Sequence, residues 1–164
     1  MLKIIGIDPG LRITGYSVVA LSDGVLEPTL LEAGIIQLNG KLSIEDRLHQ
    51  LHVDLSQIIE GQKPQQLAVE KLYAHYKHPR TAILMAHARG VILLCAKQHG
   101  MTIEHLPSTA VKKAITGYGH ASKSQIQRSV QSQLQLSELP EPPDVADAIA
   151  IALCHARRIA IDRL

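Results

Sequence analysis

Lys3-Ile4-Ile5-Gly6-Ile7-Asp8-Pro9-Gly10 is the stretch on which the fold turns. A strand buried on both faces of a sheet reads as a continuous apolar run, so Ile4–Ile7 predicts such a strand, with Asp8 at its carboxyl edge. Pro9 and Gly10 stop the strand and open space beside the acid. Ligand sites in α/β sheets lie just beyond strand ends of this kind. A lone Asp in that place is ordinary turn chemistry. Here the pattern recurs: Leu67-Ala68-Val69 is a second short apolar run and ends in Glu70, while Asp144 and Asp147 open the last long apolar stretch.

Outward from that strand, the first third predicts an antiparallel meander. Lys3–Asp8, Thr14–Leu21 and Leu30–Leu38 are rich in strand formers and are separated by the turn dipeptides Pro9-Gly10 and Asp23-Gly24. A helix is expected from Ser43, where Ser43-Ile44-Glu45-Asp46 approximates a capping box. Its apolar face is Leu48, Leu51, Leu55, Ile58 and Ile59, and Glu60-Gly61 is its expected end. Pro64 leads into the Leu67–Glu70 strand. A helix from Pro79 to His99, a strand Met101–Leu106, a short helix Pro107–Ile115, and a helix capped by Ser122 and running to Leu134 follow. Pro140, Pro142 and Pro143 form a rigid loop before the last helix. This order predicts one α/β domain over residues 1–164, a mixed five-stranded sheet of three antiparallel then two parallel strands, with helices on both faces.

Composition narrows the function classes. A length of 164 residues supports one full core without staples. Cys95 and Cys154, the two cysteines, each sit in an apolar helical stretch and read as core thiols in a reducing, cytoplasmic protein. The chain enters a strand at once, without the pattern of a secretory leader, and its longest apolar stretch, from Ala148 to His155, is too short to span a bilayer. Net charge is only +2, so charge by itself does not announce a nucleic-acid partner. Phe and Trp are absent, so stacking on a base falls to a Tyr, His or Arg.

The acids carry the chemistry. Carboxylates gathered at one spot repel strongly unless a cation joins them. Hard oxygen donors without thiolates point to Mg²⁺ or Mn²⁺ rather than zinc. Two such ions about 4 Å apart clamp the attacking and leaving oxygens of a phosphodiester displacement. Asp144 and Asp147 share a helix face, although acids are favoured in any first helical turn. Lys112, Lys113 and Lys123 flank Gly117-Tyr118-Gly119, where glycines would let backbone approach a phosphate. Lys77, Arg80 and Arg89 extend the expected basic surface. His75 and His78 read as loop residues, and His155 as a helix histidine on the same side as Asp144. Ala82–Ala96 is apolar over more than one face, which suits a core helix or a dimer interface.

Residues 6–10 (GIDPG), 68–73 (AVEKLY), 111–127 (VKKAITGYGHASKSQIQ) and 144–155 (DVADAIAIALCH) together resemble the RuvC family of Holliday-junction resolvases, in order and over nearly the whole chain. The resemblance implies an RNase H-like fold, a homodimer, and Mg²⁺- or Mn²⁺-dependent cleavage of four-way DNA junctions by paired symmetrical nicks. It implies Asp8, Glu70, Asp144 and Asp147 as catalytic metal ligands, the same acids that the pattern selects. Some relatives carry His at the position of Asp144. Tyr73 stands where the family commonly has a Phe that contacts unstacked bases. One Lys of the 112–113 pair and Lys123 are implied at the scissile-strand backbone. Whether a branch-migration motor complex is a further partner stays open. The rival readings are an RNase H-like nuclease for structured RNA and an actin-like ATPase half. The second would need another phosphate-binding segment and another lobe.

Overall fold

A computed structural model describes residues 1–72 and 78–164. Strands β1 (Leu2–Asp8), β2 (Ile13–Leu21) and β3 (Thr29–Gln37) lead into helix α1 (Ile44–Gln62). β4 (Gln66–Glu70), α2 (Pro79–Gln98), β5 (Thr102–Leu106), α3 (Ser108–Thr116), α4 (Lys123–Leu134) and α5 (Pro143–Asp162) complete the order. The sheet order is β3-β2-β1-β4-β5. β1 pairs antiparallel with β2 and parallel with β4, and β4 pairs parallel with β5. This is the mixed sheet that the sequence predicts.

Strand alternation divides the core into two layers. Ile5, Ile7, Leu67 and Val69 pack with Leu51, Leu55 and Ile92 of α1 and α2. Ile4, Ala68 and Leu106 pack on the other face with Val111, Ile126, Val130 and Ile149 of α3, α4 and α5. Successive residues of a strand face opposite sides. Asp8 therefore shares the α5 face with Ile4 and Gly6, and Glu70 shares it with Ala68.

Two capping serines do what their spacing predicts. Ser43 accepts the Asp46 N–H at 3.1 Å, and Ser122 and Gln125 form a reciprocal box at 3.2 and 2.8 Å. The end of α1 differs from expectation. The helix runs through Gly61 and closes at Lys63, which is left-handed with φ 53° and donates its N–H to the Ile59 carbonyl. Pro64 follows, and a residue before Pro is turned away from the α-helical region, so the proline rather than the glycine sets the stop. No helix among the described residues is long and apolar enough to cross a membrane.

Candidate active site

Asp8 and Glu70 end adjacent parallel strands, their predecessors Ile7 and Val69 being register partners. The β1–β2 turn that follows Asp8 is tied by Thr14, whose hydroxyl donates to the Gly10 carbonyl at 2.7 Å and accepts the Gly10 N–H at 3.1 Å. α5 descends over this edge in unusually close contact. A Cβ on Gly15 would lie 2.1 Å from the Asp144 carbonyl oxygen, and one on Gly6 would lie 2.4 Å from that of Ala148. Ser17 Oγ donates to the same Ala148 carbonyl at 3.0 Å. The loop before α5 is fastened by Gln127, whose side-chain amide donates to the Pro140 carbonyl at 3.0 Å. Glycine on the strands and alanine on the helix thus bring the first turn of α5, with Asp144 and Asp147, over the ends of β1 and β4.

The four acids feel one another. Burial first, then repulsion from Asp147, Glu70 and Asp144, pushes Asp8 up from 3.8 to about 8, against the opposing pull of Lys123. Burial, with repulsion from Asp147, raises Glu70, while Lys112 and Lys123 lower it. Burial also raises Asp147, whose carboxylate stands 3.9 Å from Lys123 Nζ. A set of oxygen donors that suffers from its own charge in this way fits a hard divalent cation. Among the described residues, however, no three His, Cys, Asp or Glu side chains converge as a ready-made coordination set. The acids share an edge and a field without closing on one point, and their mutual repulsion favours that spread.

The lysines separate by position. The positive charge of Lys112, half-buried on α3, reaches Glu70 and Asp147, as does that of Lys123 at the start of α4. Lys113 faces solvent. Of the 112–113 pair, Lys112 is the one beside the acids. Arg80 is exposed in the first turn of α2, as expected of a surface cation. Tyr73, His75 and Lys77 lie outside the described residues, and His78 is exposed at the start of α2.

Two expectations change. Arg89 does not extend the basic surface. It is half-buried, its Nε donates to the Glu70 carbonyl at 3.1 Å, and its guanidinium also meets the His105 ring. A charge inside the apolar run of α2 was the available signal, but only the packing of α2 against β4 and β5 reveals its target. His155 lies away from the acids, about 16 Å along α5 from Asp144. It is buried there and shares a 2.7 Å hydrogen bond with the Gln66 side chain at the far end of β4. Both cysteines are free and buried, as expected.

Beside the acids runs a groove of about 530 Å³ whose wall includes Asp8, Arg12, Arg47, Thr81, Lys123 and Asp144. Arg12 and Arg47 escaped the sequence reading because the groove exists only where the β1–β2 turn, α1 and α2 meet.

The sequence profile of the crossover junction endodeoxyribonuclease RuvC family matches residues 4–155. The chain belongs to the RuvC family. It is 50% identical over 151 residues to a crossover junction endodeoxyribonuclease RuvC of Rhodopirellula baltica, covering 92% of this chain and 84% of that one. It is 42% identical over 162 residues to a RuvC endonuclease of Halothermothrix orenii, covering 99% of this chain and 96% of that one. It also resembles T. thermophilus RuvC, solved in complex with a Holliday junction substrate, with a TM-score of 0.88 at 30% identity over 99% of this chain and 98% of the other. RuvC membership makes the mixed sheet an RNase H-like fold and sets aside the actin-like reading.

Proposed function

We propose that this chain is a metal-dependent DNA endonuclease that resolves four-way junctions by paired symmetrical nicks. The observation that carries the reading is the placement of Asp144 and Asp147 by α5 over the strand-end acids Asp8 and Glu70, with Lys112 and Lys123 alongside. These four carboxylates would hold two Mg²⁺ or Mn²⁺ ions. Such ions, when bound, supply Lewis acidity toward the attacking water and the leaving 3′ oxygen. The carboxylates would fix the ions beside the scissile phosphate. Lys112 and Lys123 balance charge that grows on the phosphate oxygens as water attacks phosphorus and the bond to the 3′ oxygen breaks. The products are 5′-phosphate and 3′-hydroxyl ends.

Selectivity for a junction needs more than acids. Tyr73 follows Glu70 closely in sequence and is assigned to stack on bases that leave the helix at the crossover. Symmetrical nicking needs two sites related by a two-fold axis, which a homodimer provides. An exposed stripe on α2 supports that assembly: Ile83 and Leu94, 58% and 56% exposed, lie on one helix face with His87 and Gly90 between them. The protein works in the cytoplasm, where its buried free thiols stay reduced.

The test is incubation with a mobile four-way junction and with a matched linear duplex, each with Mg²⁺, Mn²⁺ or EDTA. Paired nicks confined to the junction and dependent on metal are expected. Equal cutting of the duplex, or cutting in EDTA, overturns the reading.

A further inference from the structure

The groove beside the acids contains a guanidinium without an anion. Arg47 rises from the first turns of α1, half-buried, and its terminal nitrogen reaches the Leu11 carbonyl only at 3.5 Å. Its Nε is buried without a hydrogen-bond partner among the described residues. Arg47 forms no ion pair among those residues, although Glu45 and Asp46 precede it directly in the chain. A desolvated cation is costly unless an anion and hydrogen bonds compensate it. Arg12, exposed on the β1–β2 turn, lines the same groove from the opposite element and is also unpaired among the described residues. The same groove is also lined by Asp8, Asp144 and Lys123.

We propose that Arg47, with Arg12, forms a subsite for a second, non-scissile phosphate of the strand being cut. The planar fork of an arginine matches a phosphodiester in two hydrogen bonds, and a low-dielectric wall strengthens each of them. The groove is continuous with the acids, so a phosphate held there fixes the register of the strand as it enters the metal site. This subsite rests on the junction-nuclease reading, since it takes the cut strand as its ligand.

The experiment is a scan in which one neutral methylphosphonate replaces each phosphate in turn near the cut, with junction binding measured in EDTA for wild type, Arg47→Gln and Arg12→Gln. Wild type should lose roughly tenfold in affinity at one non-scissile position. Arg47→Gln should start about tenfold weaker on the unmodified junction and lose much less than wild type at that position alone, the remainder coming from Arg12. Its dependence of log affinity on log salt should fall by about 0.7–0.9. Arg47→Lys, which keeps charge without the fork, should keep the wild-type salt slope. Arg12→Gln changes an exposed side chain and serves as the variant whose folding is not at issue. It should shrink the penalty at the same position. If every methylphosphonate penalty and the salt slope are unchanged in both glutamine variants, Arg47 only braces the Leu11 turn and the subsite is wrong. If wild type does not prefer the junction over duplex, the junction reading itself fails, whatever the scan gives.

Discussion

At its amino end α5 sets Asp144 and Asp147 against Asp8 and Glu70, where burial and like charge hold several carboxyls above their ordinary range. Toward its carboxyl end the same helix is settled. His155 is hydrogen-bonded to Gln66 at 2.7 Å, and Arg157 pairs with Glu27 at 2.8 Å while donating to Gln133 at 2.9 Å. One end gathers charge against its own repulsion, while the other carries satisfied polar contacts. Catalytic sites carry this kind of local conflict, whereas structural ends of the same element are consistent at every level.

The largest effect that would break this contrast concerns the acids. Asp8→Asn, Glu70→Gln or Asp147→Asn should each cut junction nicking on the order of a thousandfold while binding persists. Their metal-free thermal midpoints should equal or exceed that of wild type, because each change relieves repulsion. Nicking assays and melts in EDTA check both halves. A variant that loses activity and also melts lower would move its acid into the structural class. Asp144→His is expected to retain some activity with Mn²⁺, which accepts imidazole more readily.

Next comes Lys123. Lys123→Ala should slow single-turnover cleavage by about a hundredfold, roughly 3 kcal/mol, with little change in junction affinity. Solvent-facing Lys113→Ala should alter only the salt dependence of binding. Equal effects of the two substitutions on the rate would erase the distinction drawn between them.

Much of this was legible in the sequence for reasons of local chemistry. Apolar runs that stop at an acid place Asp8 and Glu70 at strand ends, and the capping serines mark where α1 and α4 begin. Strand parity puts the acids on one face only once the β1–β4 register is known. What stayed hidden depends on which elements meet. Arg89 turning to the Glu70 carbonyl, Arg47 entering a groove wall and His155 pairing with Gln66 are all contacts between distant segments. Nothing in a local pattern says that Gly6 and Gly15 exist to let a helix touch the sheet.

Those glycines give the next test. Gly15→Ala sets a Cβ against the Asp144 backbone and should cost about 1–3 kcal/mol of stability. It should also lift the first turn of α5 and abolish nicking. Gly61→Ala, with open space around its new Cβ inside α1, should be neutral or stabilising by up to about 1 kcal/mol. Urea titrations of both variants decide the matter. A mild Gly15→Ala variant with normal nicking would mean that close approach at this point is not what positions Asp144.

The finest test uses pH, because the two ends of α5 carry opposite signs. Asp8 ionises near 3.8 when unfolded and near 8 when folded, so between those values the metal-free native state holds the extra proton. Stability from this end is complete below pH 3.8 and is lost as pH rises toward 8. The neighbouring acids share the proton, so the decline belongs to the cluster rather than to one residue. Burial lowers His155 from its unfolded value of 6.5, so there the unfolded state binds the extra proton. Its contribution is complete above pH 6.5 and is lost as pH falls toward the depressed native value. Melts in EDTA across pH 4–9 should therefore show an alkaline decline that Asp8→Asn flattens and an acid decline that His155→Gln flattens. Mg²⁺ should restore the alkaline limb and leave the acid limb unchanged, because it compensates the carboxylates only. If both variants kept the wild-type pH profile, the charge conflict at the acid end and the buried neutral imidazole at the other would both lose their standing as contributors to stability.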